Sequence, residues 1–134
     1  MRLYLDTAPV IYTVEQVADF AGMVDARLSV SDLVLVVSDL TRLECRVKPL
    51  RDGDEELLRD FDEFLQDAVA EVVGLSREVI DYATEIRSHY SFKTPDAIHL
   101  AAAVASGCDA FYTNDHRLDR FSELSIEIVG QEPK

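Results

Sequence analysis

The run Leu33-Val34-Leu35-Val36-Val37 is apolar at every position. A strand with one face in water alternates apolar and polar residues. A strand of this composition is covered on both faces, as in a parallel sheet wrapped by helices. The flanking sequence keeps the matching rhythm. Leu3–Leu5, Ala70–Leu75, Ala110–Thr113 and Ile126–Val129 read as four further strands, the last short and at an edge. Pro9 suits the first turn of a helix carrying Val10, Ile11, Val14 and Val17, and a second helix is expected from Ala18 to Ser29. Ser38 caps a helix that carries Leu40, Leu43, Glu44 and Val47 and is expected to stop near Pro49. Asp54–Ala68 is amphipathic, with Leu57, Leu58, Phe61, Phe64 and Leu65 on one face. Ser76 caps a helix ending near His89. Thr94 is expected to cap an Ala-rich helix with Pro95 in first position, running to Ser106 and ended by Gly107.

Strands alternating with helices place the chain in the α/β class. The expected architecture has three layers, with a central, mainly parallel sheet of about five strands flanked by helices. The chain has 134 residues, 48% of them hydrophobic, and no internal repeat or linker, which fits a single domain over 1–134. No apolar stretch reaches the length of a membrane span, and the N-terminus reads as a strand rather than a signal segment. Cys45 and Cys108 stand alone, with no CxxC pair, which fits a reducing, cytoplasmic setting.

In sheets of this kind the ligand crevice lies beyond the carboxyl ends of the strands. Asp6 and Asp115 each follow a strand, and Glu44 and Asp96 sit in the first turns of helices that can start at the same rim. Each acid also has an ordinary structural use. Asp6 can cap the next helix, Glu44 can pair with Lys48 at i,i+4, Asp96 can sit on a helix dipole, and Asp115 can shape a turn. Together, several carboxylates in one pocket repel one another and favour a divalent cation. Such a site suits metal-dependent phosphodiester chemistry.

Charge complicates that picture. The net charge is −13, whereas nucleic-acid binders are usually basic. Much of the excess lies in one block, Asp52, Asp54, Glu55, Glu56, Asp60, Asp62, Glu63 and Asp67, which reads as a solvated helix face or an attraction for a basic partner. Arg42, Arg46, Lys48 and Arg51 lie around Glu44, Lys93 precedes Asp96, and Arg117 and Arg120 follow Asp115. Phosphate contacts near the acids are therefore available.

The segments Leu5-Asp6-Thr7, the Glu44 helix, Thr94-Pro95-Asp96-Ala97-Ile98-His99-Leu100-Ala101-Ala102-Ala103 and Tyr112-Thr113-Asn114-Asp115 resemble the PIN-domain ribonucleases. More narrowly they are similar to the VapC-type toxins of toxin–antitoxin pairs. The resemblance spans essentially the whole chain. It implies a PIN-like fold and an endoribonuclease using Mg²⁺ or Mn²⁺, with Asp6, Glu44, Asp96 and Asp115 in the carboxylate positions and Thr113 helping to place the water or the acid. It also implies an RNA substrate (tRNA or ribosomal RNA among the candidates), a small cognate antitoxin and a homodimer. Two departures stand out: Ala8 occupies a position where the family often has Asn, and His116 and Arg117 follow Asp115 where a second acid or an Arg is frequent. The roles of His116 and Asp119 are left open.

Other chemistries fit less well. His89, His99 and His116 form no zinc-type cluster, and His99 is assigned to helix packing. No P-loop or GxGxxG is present, and Asp52-Gly53-Asp54 lacks the rest of a calcium loop. A haloacid-dehalogenase-type phosphatase needs a second Asp where Ala8 stands, and a receiver domain needs adjacent acids after the first strand. The alternatives that remain are a non-catalytic acidic protein-binding module and a PIN-like nuclease acting on another nucleic acid.

Overall fold

The computed structural model describes residues 1–131. Five strands, β1 (Arg2–Leu5), β2 (Val34–Ser38), β3 (Glu71–Val73), β4 (Ala110–Thr113) and β5 (Ser125–Ile128), form one sheet in the order β3-β2-β1-β4-β5. Every pairing is parallel. Six α-helices cover it: α1 (Thr7–Val14), α2 (Ala21–Leu28), α3 (Asp39–Asp52), α4 (Glu55–Asp67), α5 (Arg77–Tyr90) and α6 (Thr94–Ala105). A 3₁₀ turn, His116–Arg120, joins β4 to β5.

The two-residue period of a strand sorts side chains into two cores. Leu3 and Leu5 of β1, Leu35 and Val37 of β2, and Ala110 and Tyr112 of β4 join Val10, Val24, Cys45, Phe61 and Leu65 from α1–α4. Tyr4, Val36 and Phe111 point to the other face and join Val79, Ala83, Ile86, Ala97 and Leu100 from α5 and α6. The fold is therefore three-layered, as the doubly apolar β2 requires. The central strand β1 is fully buried from Leu3 to Leu5. The short edge strand β3 is mostly exposed and spans Glu71–Val73 where Ala70–Leu75 was expected, with Ala70 N adding a bond to Leu35 O at 2.9 Å.

Chain order runs outward from β1 to β3, then returns to the far side of β1 for β4. The crevice at this reversal lies between β1 and β4, where Asp6 N donates to Tyr112 O at 2.9 Å.

Several helix ends depart from expectation. α2 begins at Ala21 rather than Ala18, because the chain before it turns to stack Phe20 on Tyr12 with ring centroids 4.3 Å apart. α3 passes through Pro49, which is buried, and continues to Asp52. Gly53, at φ 67°, ends it in the left-handed region, and Asp54 N returns to Pro49 O at 2.9 Å. Thr94 is the first helical residue of α6 and not its cap. Its hydroxyl accepts from Arg87 Nη1 at 2.9 Å instead, and Lys93 takes the cap position without a side-chain bond. Ser38, Asp54 and Ser76 cap α3, α4 and α5 as their sequences suggest.

Phe61 is 1% exposed at the centre of the α4 face. Phe61→Ala is expected to cost about 3–5 kcal/mol, read from urea unfolding midpoints; a loss below about 1 kcal/mol would contradict this packing. Burial, reinforced by Glu44, Glu15 and Asp6, pushes the Cys45 thiol up to about 12. Burial also raises Cys108. Neither thiol should react with a disulfide reagent at neutral pH until the chain is unfolded, and rapid native labelling of Cys45 would refute that.

Candidate functional site

Asp6 leaves the buried end of β1 and turns the chain into α1. Its Oδ1 accepts from Thr7 N at 2.8 Å, so it does cap that helix. Its Oδ2 accepts from Thr113 Oγ1 at 2.8 Å. Thr113 closes β4, is fully buried, and accepts from Asp115 N at 3.0 Å. One hydroxyl thus ties the first and last acids together across the β1–β4 crevice.

Glu44 is placed on α3 by the Ser38–Thr41 capping box, which fixes where that helix starts. It does not pair with Lys48, which binds Glu15 instead. Glu44 Oε1 lies 2.7 Å from Thr7 Oγ1 and 2.7 Å from His99 Nε2. Partial burial pushes its carboxyl up, but the His99 and Thr7 hydrogen bonds outweigh burial and hold it below the usual range.

His99 was assigned to packing, and it is indeed buried, but it is also the polar hinge of the site. Its Nε2 faces Glu44 and lies 3.7 Å from Asp6 Oδ1, while its Nδ1 lies 2.7 Å from Tyr4 Oη. Tyr4 is wholly buried and bonds Ser38 Oγ at 2.8 Å. A carboxylate only accepts, so Nε2 carries the proton directed at Glu44. Thr7, Tyr4 and His99 were not among the expected site residues. The available signal was spacing: Thr7 adjoins Asp6, and His99 stands three residues after Asp96 on one helical face.

Asp96, in the first turn of α6, is half-buried, and its carboxylate takes no hydrogen bond or ion pair from a described residue. Burial pushes it up, reinforced by the charges of Asp6 and Asp115 and countered by Arg117 and His99. Asp115 caps the 3₁₀ turn. Arg117 grips it from both sides, Nε to Oδ1 at 3.0 Å and Nη2 to Oδ2 at 2.6 Å. The Arg117 guanidinium holds the Asp115 carboxyl below the usual range against the opposing effect of burial.

The four expected acids and Thr113 therefore converge on one rim. Asp119 sits on the 3₁₀ turn behind them, and exposed His116 lies 3.3 Å from the Gln131 amide. Among the described residues, no group of three or more His, Cys, Asp or Glu side chains is arranged to hold a metal ion. Asp115 is turned onto Arg117 and Glu44 onto His99. The donor set nevertheless fits a hard divalent cation: it consists of carboxylate oxygens, and the charge on Asp96 has no local compensation by hydrogen bonding.

The PIN domain family profile matches residues 3–124. Comparison with curated protein sequences finds no match. Among solved structures, the chain is similar to VapBC2 from Rickettsia felis bound to a promoter DNA fragment, at 16% identity, TM-score 0.77, covering 96% of this chain and 98% of that one. FitAcB from Neisseria gonorrhoeae is 18% identical with TM-score 0.70, covering 92% and 95%. VapC20 from Mycobacterium tuberculosis, a sarcin–ricin loop cleaving toxin, is 14% identical with TM-score 0.67, covering 81% and 86%. At these identities the structural likeness speaks for the fold, and the profile match over most of the length places the chain in the PIN-domain family.

Proposed function

We propose that this protein is a metal-dependent endoribonuclease and the toxin of a VapBC-type toxin–antitoxin pair. The observation that carries the reading is the convergence of Asp6, Glu44, Asp96 and Asp115 at the β1–β4 crevice, where Asp96 feels the charges of both Asp6 and Asp115 and takes no hydrogen bond from a described residue.

Asp6, Asp96 and Asp115, with Glu44, would hold Mg²⁺ or Mn²⁺. When bound, such a cation supplies Lewis acidity that lowers the pKa of water and offsets charge on the phosphate. The chain's own groups do the positioning. Thr113 fixes the rotamer of Asp6 through Oδ2. Thr7 and His99 fix Glu44 through Oε1, and Tyr4 fixes the His99 ring. Residues locked in this way keep an acidic centre ordered despite its own repulsion.

Similarity to VapBC2 and to a toxin–antitoxin complex from Klebsiella pneumoniae, 17% identical with TM-score 0.70, supports an antitoxin partner. A basic side chain of that partner would be drawn to the acidic centre. Similarity to VapC20, a sarcin–ricin loop cleaving toxin, makes that loop one substrate to test. A homodimer and a cytoplasmic location belong to the same reading. No helix among the described residues is long and apolar enough to cross a membrane.

The test is cleavage of a mixed RNA pool by purified protein with Mg²⁺ or Mn²⁺ and with EDTA, beside Asp6→Asn and Asp96→Asn. Cleavage is expected with metal, to vanish with EDTA, and to be lost in both variants while circular dichroism stays native. An Asp6→Asn protein of full activity would sink the assignment, and activity indifferent to chelator and to both variants would favour a protein-binding module. His99→Leu is expected to lower cleavage on the order of 10–100-fold and to weaken Mn²⁺ binding measured by calorimetry. It should also cost about 1–3 kcal/mol of stability, because Tyr4 Oη loses a buried partner. Unchanged Mn²⁺ affinity would argue against the positioning role.

A further inference from the structure

In so acidic a chain, the cations that lack a carboxylate are informative. Arg2, Arg27, Arg42, Arg46, Lys48, Arg51 and Arg117 each lie within 4.0 Å of one. Among the described residues Arg59, Arg77, Arg87, Lys93 and Arg120 do not; Arg59 stands on α4 and Arg77 at the start of α5, whereas Arg87, Lys93 and Arg120 gather at the turn between α5 and α6, beside the acidic centre. Arg87 is spent on structure, donating to Phe92 O at 2.9 Å and to Thr94 Oγ1. Lys93 is exposed and makes no hydrogen bond or contact ion pair with a described residue, although its charge reaches Asp115. Arg120 lies 4.4 Å over the Phe92 ring, with Tyr90 stacked beyond, and donates to Tyr90 O. That stack holds the guanidinium in place without neutralising it.

These groups line a cavity of about 150 Å³, walled by Phe92, Lys93, Arg117 and Arg120 and reaching Asp96 at one side. Its lining carries three cations and one carboxylate, whereas the whole chain carries −13. Two of the three, Lys93 and Arg120, have no anion in contact. A site built this way takes a phosphate: it is concave, multiply cationic, and provided with an Arg fork and an Lys point charge.

We propose that this cavity binds a backbone phosphate of single-stranded RNA, adjacent to the phosphate presented to the acidic centre. The proposal rests on the ribonuclease reading and deepens it by giving the substrate strand a side. The strand leaves the carboxylates over the α5–α6 turn and the 3₁₀ turn, and not over the acidic α4 face. A single strand suits the cavity better than a duplex, whose long footprint would meet the acidic remainder of the surface.

The test uses a labelled single-stranded RNA of mixed sequence, read by fluorescence anisotropy over a series of salt concentrations and by the KM and kcat of cleavage with Mg²⁺. Wild type is compared with Lys93→Ala, Lys93→Arg, Arg120→Ala, Arg120→Lys and, as a control on the α4 face, Arg59→Ala. Lys93→Ala is expected to weaken binding to a similar degree for every sequence and to make the slope of log affinity against log salt shallower by about 0.7. Its loss of kcat/KM should fall on KM, Lys93→Arg should restore wild-type values, and Arg59→Ala should match wild type. Arg120→Lys keeps the charge if Arg120→Ala fails to fold.

If wild type cleaves RNA but Lys93→Ala keeps its KM and salt slope, the subsite is wrong and the nuclease reading stands. If wild type binds RNA without cleaving it, the nuclease reading falls and the salt slopes of the same variants still decide the subsite. If wild type neither binds nor cleaves RNA, both fall.

Discussion

The pairing of β1 with β4 is the constraint on which the site depends. Strand order reverses there, so the carboxyl ends of two strands that are distant in sequence open side by side into one crevice. The bond from Asp6 N to Tyr112 O extends the ladder one step past β1, and the Thr113 hydroxyl then reaches Asp6 Oδ2. Shifting this register by one residue would exchange the faces that Tyr112 and Thr113 present. The site would lose its hydroxyl tie and the core under α1–α4 would lose Tyr112. Stability and site geometry are therefore enforced by the same contacts.

A second constraint is the polar line that crosses the core shared with α5 and α6. Ser38, Tyr4, His99 and Glu44 lead from a fully buried helix cap to the half-exposed rim. Burying these groups is costly unless each is satisfied, and among the described residues no buried side-chain nitrogen or oxygen lacks a partner. Such a network tolerates few rotamers, because moving one member orphans the next. The end of the line is Glu44, whose negative charge is stabilised by it. Asp96 sits on the same helix as His99 but outside the network, and its charge is disfavoured. The chain supports three of its acids with hydrogen bonds and leaves one to respond to what binds.

The layers, the parallel sheet and the gathering of the acids were legible in the sequence, because they follow from period and order. A strand apolar at every position admits few settings, and Asp6 and Asp115 stand at strand ends by count alone. What escaped is set by contacts between distant segments. Pro49 normally argues for a helix stop, but here it is buried and the αL Gly53 completes the helix end beyond it. Thr94 has the chemistry of a cap, but Arg87 from the preceding helix claims its hydroxyl. His99 looked like packing because its burial was legible and its partners, Tyr4 and Glu44, came from 95 and 55 residues away. Glu44 was the least distinctive acid in sequence, yet it has the best-defined hydrogen-bonding partners of the helix-borne pair.

Charge is the last element to reconcile. A net charge of −13 opposes polyanions in general, but what a phosphate meets within a Debye length, about 10 Å at ordinary salt, is local. The acidic block is concentrated on α4, where Asp62 is already engaged by Arg42 and Arg46. Beside the carboxylate centre the sign is reversed, with Lys93 and Arg120 in contact with no carboxylate among the described residues and Arg117 on Asp115. On the proposed reading, global repulsion with a cationic approach beside the centre would favour one orientation for an anionic strand. The same global charge attracts basic polypeptides, so on the proposed reading a basic antitoxin and an anionic substrate would be drawn to neighbouring parts of one rim by charges of opposite sign.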